Sequence, residues 1–120
     1  MEEAEFLKDW ISRLQTCNKA IVVEGKRDVK ALRHFRIKYI YPLSKPLYAI
    51  AEHISAGFKK AIILTDLDSE GKFLYRRLKT ELTRLGVEVD NRFREELFKY
   101  TKLTQIEGFD SYYERVVGEK

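Results

Sequence analysis

The chain has 120 residues, of which 44% are hydrophobic and 35% charged, and carries a formal net charge of +4. That size and balance predict one folded domain with an ordinary core and argue against a disordered segment. The lone cysteine, Cys17, excludes an internal disulfide and a CxxC zinc pattern. No apolar run approaches the roughly 20 residues that span a bilayer. The acidic start Met1-Glu2-Glu3 does not resemble a secretory signal, so a cytoplasmic location with no membrane partner is expected. The excess of positive charge favours anionic partners, nucleic acid among them.

In chain order, Phe6, Trp10, Ile11 and Leu14 recur at helical spacing and predict a first helix over about 3–16. A strand follows at about 19–24. A second helix runs over about 26–35, with Val29, Leu32 and Phe35 on one face and Lys26, Lys30 and Arg33 on the other. The β-branched and aromatic stretch 37–41 predicts a second strand closed by Pro42. Ser44 is placed to cap a third helix with Pro46 in its first turn and a body running to about Ile54.

Strand three is expected at about 60–65, after Gly57. A long helix follows over about 70–85, with Leu74, Leu78, Leu82 and Leu85 as its core stripe and Gly86 as its stop. Val87-Glu88-Val89 predicts a short fourth strand. A helix over about 92–100, an extended piece near 103–107 and a last helix over about 109–117 complete the reading. Strands alternating with helices imply right-handed crossovers: an α/β, Rossmann-like parallel four-stranded sheet with helices on both faces.

Two strand ends share one pattern. Ala20-Ile21-Val22-Val23 stops at Glu24-Gly25-Lys26, and Ala61-Ile62-Ile63-Leu64-Thr65 stops at Asp66-Leu67-Asp68-Ser69-Glu70-Gly71. If both strands are parallel neighbours, Glu24, Asp66 and Asp68 emerge at the sheet edge where open α/β sheets bind ligands. Three carboxylates brought close repel one another unless a cation is bound or a proton retained. Oxygen donors without histidine or cysteine suit a hard ion, Mg²⁺ or Mn²⁺. The helix N-termini that follow favour phosphate, and Lys26, Arg27, Lys72 and Arg76 in their first turns are candidate phosphate or nucleic-acid ligands. His34 and His53 lack a metal-spaced partner and are expected to be structural.

These paired motifs resemble the two signatures of the Toprim domain, shared by topoisomerases, bacterial-type primases, OLD-type nucleases, recombination proteins and small ribosomal-RNA-maturing ribonucleases. The resemblance covers about 19–89, with helical extensions at both ends of a single domain over 1–120. It implies Glu24 as general acid/base and as a contributor to the metal site, with Asp66 and Asp68 as carriers of Mg²⁺. Where the topoisomerase motif has a second glutamate after the glycine, this chain has Lys72, and where the small ribonucleases often have asparagine it has Arg27.

Neither the tyrosine-bearing domain and gate of a topoisomerase nor the zinc-binding part of a primase fits in 120 residues with one cysteine. The resemblance then implies a small metal-dependent nuclease, or a non-catalytic module that binds nucleic acid or protein. Either could act alone, as a homo-oligomer or within a larger nucleic-acid-processing complex. A receiver-like signalling domain fits less well, since Glu24 is the only acid at the first strand end and no fifth-strand lysine appears. Glu107-Gly108 loosely resembles a later Toprim segment and is assigned no catalytic role.

Overall fold

The computed structural model describes residues 2–118. Four parallel strands, β1 (Ala20–Val23), β2 (Ile40–Pro42), β3 (Lys60–Leu64) and β4 (Glu88–Asp90), form one sheet in the order β2-β1-β3-β4. Six α-helices flank it: α1 (Glu3–Gln15), α2 (Lys26–Arg33), α3 (Leu47–Ser55), α4 (Ser69–Arg84), α5 (Arg92–Tyr100) and α6 (Phe109–Tyr113). The four-stranded parallel α/β architecture expected from the sequence is the one observed.

Alternation along the two central strands builds two cores. Ile21, Val23, Ile62 and Leu64 face α1, α2, α5 and α6, whereas Ala20, Val22, Ala61 and Ile63 face α3 and α4. On the first side Trp10 is fully buried and its indole N–H donates to the carbonyl of Phe93 at 2.9 Å, which ties α1 to the start of α5. The hydroxyl of Tyr112 in α6 donates to the Glu3 carboxylate, which ties α6 to the start of α1.

Several boundaries differ from the sequence expectation, each for a local reason. The second strand starts at Ile40 because Arg36 and Tyr39 adopt left-handed backbone, with φ of 59° and 60°, which breaks extended structure before it. Pro42 lies inside that strand, opposite Val23, and is tolerated because β2 is an edge. Ser44 does not cap α3. Pro46 holds the N-cap position with extended backbone, and a residue before proline is itself disfavoured from helix, so α3 begins only at Leu47.

In α4, Leu78 and Leu82 are fully buried, but Leu74 is only partly so and Leu85 is 42% exposed. Leu85 falls at the C-cap, where the helix has ended, and Tyr75 packs against the core in place of the flanking leucines. Gly86 stops the helix at φ 84°, as its position suggested. The stretch after α5 is not a strand: residues 103–105 are irregular and lead into a 3-10 turn, Ile106–Gly108. The last helix is interrupted after Tyr113 by a π-helical turn, Glu114–Gly118.

Candidate functional site

β1 and β3 are hydrogen-bonded neighbours, with Val23 opposite Leu64, so their C-terminal ends are level. Glu24 and Asp66 emerge there together. The Glu24 carboxylate (Oε2) accepts a hydrogen bond from the backbone N–H of Asp66 at 2.8 Å. Asp66 in turn accepts from the N–H of Ile106 at 2.8 Å through Oδ1, which pins the turn 106–108 over the strand end.

Both loops are closed by carboxylates acting on backbone. Asp28, buried in the first turn of α2, accepts from the N–H groups of Glu24 at 3.1 Å and Gly25 at 3.0 Å. It is a helix cap, and the capping role fixes the loop that carries Glu24. Asp68 is the N-cap of α4 and accepts from Gly71 N–H at 2.8 Å. Its exposed side chain therefore has one oxygen engaged in capping and the other free of protein partners among the described residues.

The electrostatics follow from this crowding. Burial raises the pKa of Glu24, and the charges of Asp66, Asp68 and Asp28 raise it further against the opposing bond from Asp66 N–H. Asp66 is raised for the same reason, first by burial and then by Asp68 and Glu107, with the bond from Ile106 and the charge of Arg94 acting the other way. Among the described residues no lysine or arginine forms an ion pair with Glu24, Asp66 or Asp68.

A concavity of about 450 Å³ opens above the strand ends, lined by Glu24, Lys26, Arg27, Asp28, Asp66 and Glu107. The structure thus brings Lys26 and Arg27 to the same hollow as Glu24 and Asp66. Asp68 stands outside that lining, close enough for its charge to act on both acids. Lys72 and Arg76 lie on the exposed side of α4 and do not line the hollow. His34 and His53 pack edge-on against Phe35 and Tyr41, in keeping with structural roles.

Two residues are placed here that sequence reasoning did not assign. Arg94, from α5, reaches under the β3 loop, where its guanidinium donates to the carbonyls of Thr65 at 2.9 Å and Asp66 at 2.6 Å. It is sandwiched between the rings of Tyr75 and Phe98, at 5.1 and 5.4 Å. Glu107 is exposed at the rim and adds a further negative charge opposite Asp28 and Asp66. Arg94 sits inside a helix at a position that looks like any solvated cation, and only the packing of α5 against β3 turns it inward.

The donors present fit a hard cation: carboxylate oxygens only, unpaired by basic side chains, and mutually repelling. No three histidine, cysteine, aspartate or glutamate side chains among the described residues converge as a ready-made cage. An ion bound through Asp66 and Asp68 would therefore keep much of its water, as Mg²⁺ characteristically does.

A glutamate and an aspartate pair thus stand together at adjacent parallel strand ends, and the chain belongs to the Toprim domain family, whose model matches residues 19–105. The match runs past the fourth strand and takes in α5 with Arg94. Among curated proteins, the chain is similar to the UPF0292 protein of Methanocaldococcus jannaschii, 33% identical over 105 residues that cover 83% of this chain and 82% of the relative. It is 38% identical over 105 residues to the UPF0292 protein of Pyrococcus horikoshii, covering 86% of this chain and 78% of the relative. A solved structure of a protein from Aquifex aeolicus superposes with a TM-score of 0.79 at 36% identity, covering 84% of this chain and 95% of that one. No helix of the described residues is long and apolar enough to cross a membrane.

Proposed function

We propose that this protein carries out Mg²⁺- or Mn²⁺-dependent hydrolysis of a phosphodiester in nucleic acid. The observation that carries the reading is the state of Glu24. Its carboxylate is fixed against the N–H of Asp66 at 2.8 Å, while burial and three neighbouring acids raise its pKa. A carboxyl shifted towards neutrality and held in place is suited to proton transfer.

In this reading Glu24 moves the proton, taking it from the attacking water or giving it to the leaving oxygen. Asp66 and Asp68 hold the ion, which when bound supplies charge neutralisation for the phosphodiester. Lys26 and Arg27, beside Glu24 in the hollow, orient the scissile phosphate by charge-assisted hydrogen bonds. Lys72 and Arg76, farther out on α4, serve neighbouring phosphates. Capping by Asp28 and the fork of Arg94 keep both loops in position without touching substrate.

Labelled RNA and DNA incubated with either metal, beside the Glu24→Gln protein, test the proposal. Turnover should fall by roughly 100-fold or more in the variant with affinity nearly intact, the usual scale for losing a general acid or base. Absence of metal-dependent cleavage by the unaltered protein, as monomer or oligomer, would refute hydrolysis. The second reading, a module that binds nucleic acid or protein without cleaving, draws on the lack of a preassembled metal cage among the described residues. It predicts binding that Glu24→Gln leaves unchanged and no cleavage under any metal.

A further inference from the structure

Helix α2 carries more positive charge than the fold requires. Lys26, Arg27, Lys30 and Arg33 are all exposed, and none has an ion pair or side-chain hydrogen bond among the described residues. The helix's only acid, Asp28, is turned inward onto the backbone of Glu24 and Gly25, so it neutralises nothing on the outer face. On α4 the pattern is mixed: Arg84 pairs with Glu81, whereas Lys72, Arg76 and Lys79 are exposed without an ion pair among the described residues.

These cations line a groove. A second hollow of about 450 Å³ runs between α2 and the edge strand β2, with Lys26, Lys30 and Arg33 on one wall and Val29, Ile40 and Pro42 forming its apolar part. Lys26 lines both this groove and the hollow containing Glu24 and Asp66, so the two adjoin at that side chain. A neighbouring hollow on the far side of α2 is lined by Glu107 and Asp110 beside Arg27 and Lys30, so its cations are offset by acids. The groove beside β2 has no acidic lining.

We propose that this groove is the track along which a nucleic-acid strand reaches the carboxylate site, with Lys30 and Arg33 holding phosphates away from the scissile bond. The proposal rests on the reading of the site given above and adds the path of the strand. From Lys26 to Arg33 the helix rises about 10 Å, enough to present its cations to successive phosphates of one strand. Three cations along that length match the ligand in charge, and the apolar wall excludes water from one side of the contact.

Fluorescence anisotropy with labelled 15-nucleotide single strands and duplexes of RNA and DNA tests the track, since all four carry the same phosphate chemistry. Charge reversal of the outer pair, Lys30→Glu with Arg33→Glu, should weaken binding of the preferred form at least 10-fold. The slope of log affinity against log salt should flatten by about 1.4 for a single strand or 1.8 for a duplex, the change expected on losing two phosphate contacts. Lys79→Glu with Arg84→Glu on α4 makes the same change in net charge and should leave affinity within about 2-fold. The milder Lys30→Gln with Arg33→Gln should show an intermediate loss, which separates a lost contact from a damaged fold.

Equal weakening by the α2 and α4 reversals would mean that net charge, and not the groove, governs binding, and would overturn the track. Wild-type affinity in the α2 variants would overturn it as well, while Glu24→Gln still abolishing cleavage would leave the site reading standing. If the unaltered protein binds none of the four oligonucleotides, the track and the nucleic-acid reading fall together.

Discussion

The backbone of Gly71 lies so close to Asp66 that a Cβ at Gly71 would stand 2.0 Å from the Asp66 carbonyl oxygen and 2.6 Å from its carbon. The first turn of α4 is thereby pressed onto the end of β3, and two bonds fasten it. Thr65 Oγ1 donates to the Gly71 carbonyl at 2.7 Å, and Gly71 N–H donates to Asp68 at 2.8 Å. Both aspartates of the site are thus carried on a loop with little freedom to adjust.

Gly71→Ala should accordingly be one of the costliest single-methyl additions in the chain. The neighbour it meets is backbone, which cannot rotate away, so the loop must shift. We expect a loss of about 1–3 kcal/mol, read as a lower urea midpoint. On the proposed reading, in which Asp66 and Asp68 hold the ion, manganese binding should weaken with it because both move with the loop.

Arg94 holds the same loop from the other side. Arg94→Ala leaves the Thr65 and Asp66 carbonyls without their donor and should cost about 2–3 kcal/mol. Arg94→Lys keeps the charge but loses the fork, and should recover only part of that loss. Urea denaturation of the three proteins checks the order. Equal stability of the lysine variant and the parent would show that charge alone suffices.

The acids of the site should make stability fall as pH rises through the carboxylate range. Glu24, Asp28 and Asp66 all have folded pKa values above their ordinary ones. The folded state then holds more protons than the unfolded one between the two pKa values, and ionising these groups above the folded value destabilises it. Glu24→Gln should therefore raise Tm at pH 8 by more than it does at pH 4. Asp90 has the opposite sign: bonds from Arg92 and Lys19 lower its pKa, so its contribution is present above the unfolded value and is lost as pH falls. Asp90→Asn should lower Tm at pH 7 and matter less under strongly acid conditions.

Tyr75 offers a change in the stabilising direction. Its hydroxyl is buried with no hydrogen-bond partner among the described residues, while its ring packs on Arg94 and the α4 side of the core. Tyr75→Phe removes an unsatisfied polar atom and keeps the ring contact, so it should be neutral or stabilise by about 1 kcal/mol. A drop in Tm would mean that the hydroxyl has a partner in solution.

The strands and most helices were legible in the sequence because they depend on short-range pattern. Apolar runs closed by Glu24 and by Asp66 mark buried strand ends, and the spacing of Phe6, Trp10, Ile11 and Leu14 marks a helix face. Those signals locate Glu24 and Asp66 from the sequence, and their order along the chain carries the family resemblance. Local pattern misled where a neighbour in sequence overruled it, as at Ser44, displaced from the cap by Pro46, and at Leu85, stranded beyond the end of α4. What only the tertiary structure decided is which distant residues meet these acids. Arg94 and Glu107 lie tens of residues from the motifs; nothing in its immediate sequence separates Arg94 from a solvated surface charge, and the loose likeness of Glu107-Gly108 to a later Toprim segment does not place Glu107 at the site. The docking of α5 beneath β3 and the bond from Ile106 N–H to Asp66 bring them in. Likewise, the inward turn of Asp28 leaves the cations of α2 unmatched, because a cap and an ion pair compete for the same carboxylate and the backbone N–H groups hold it here.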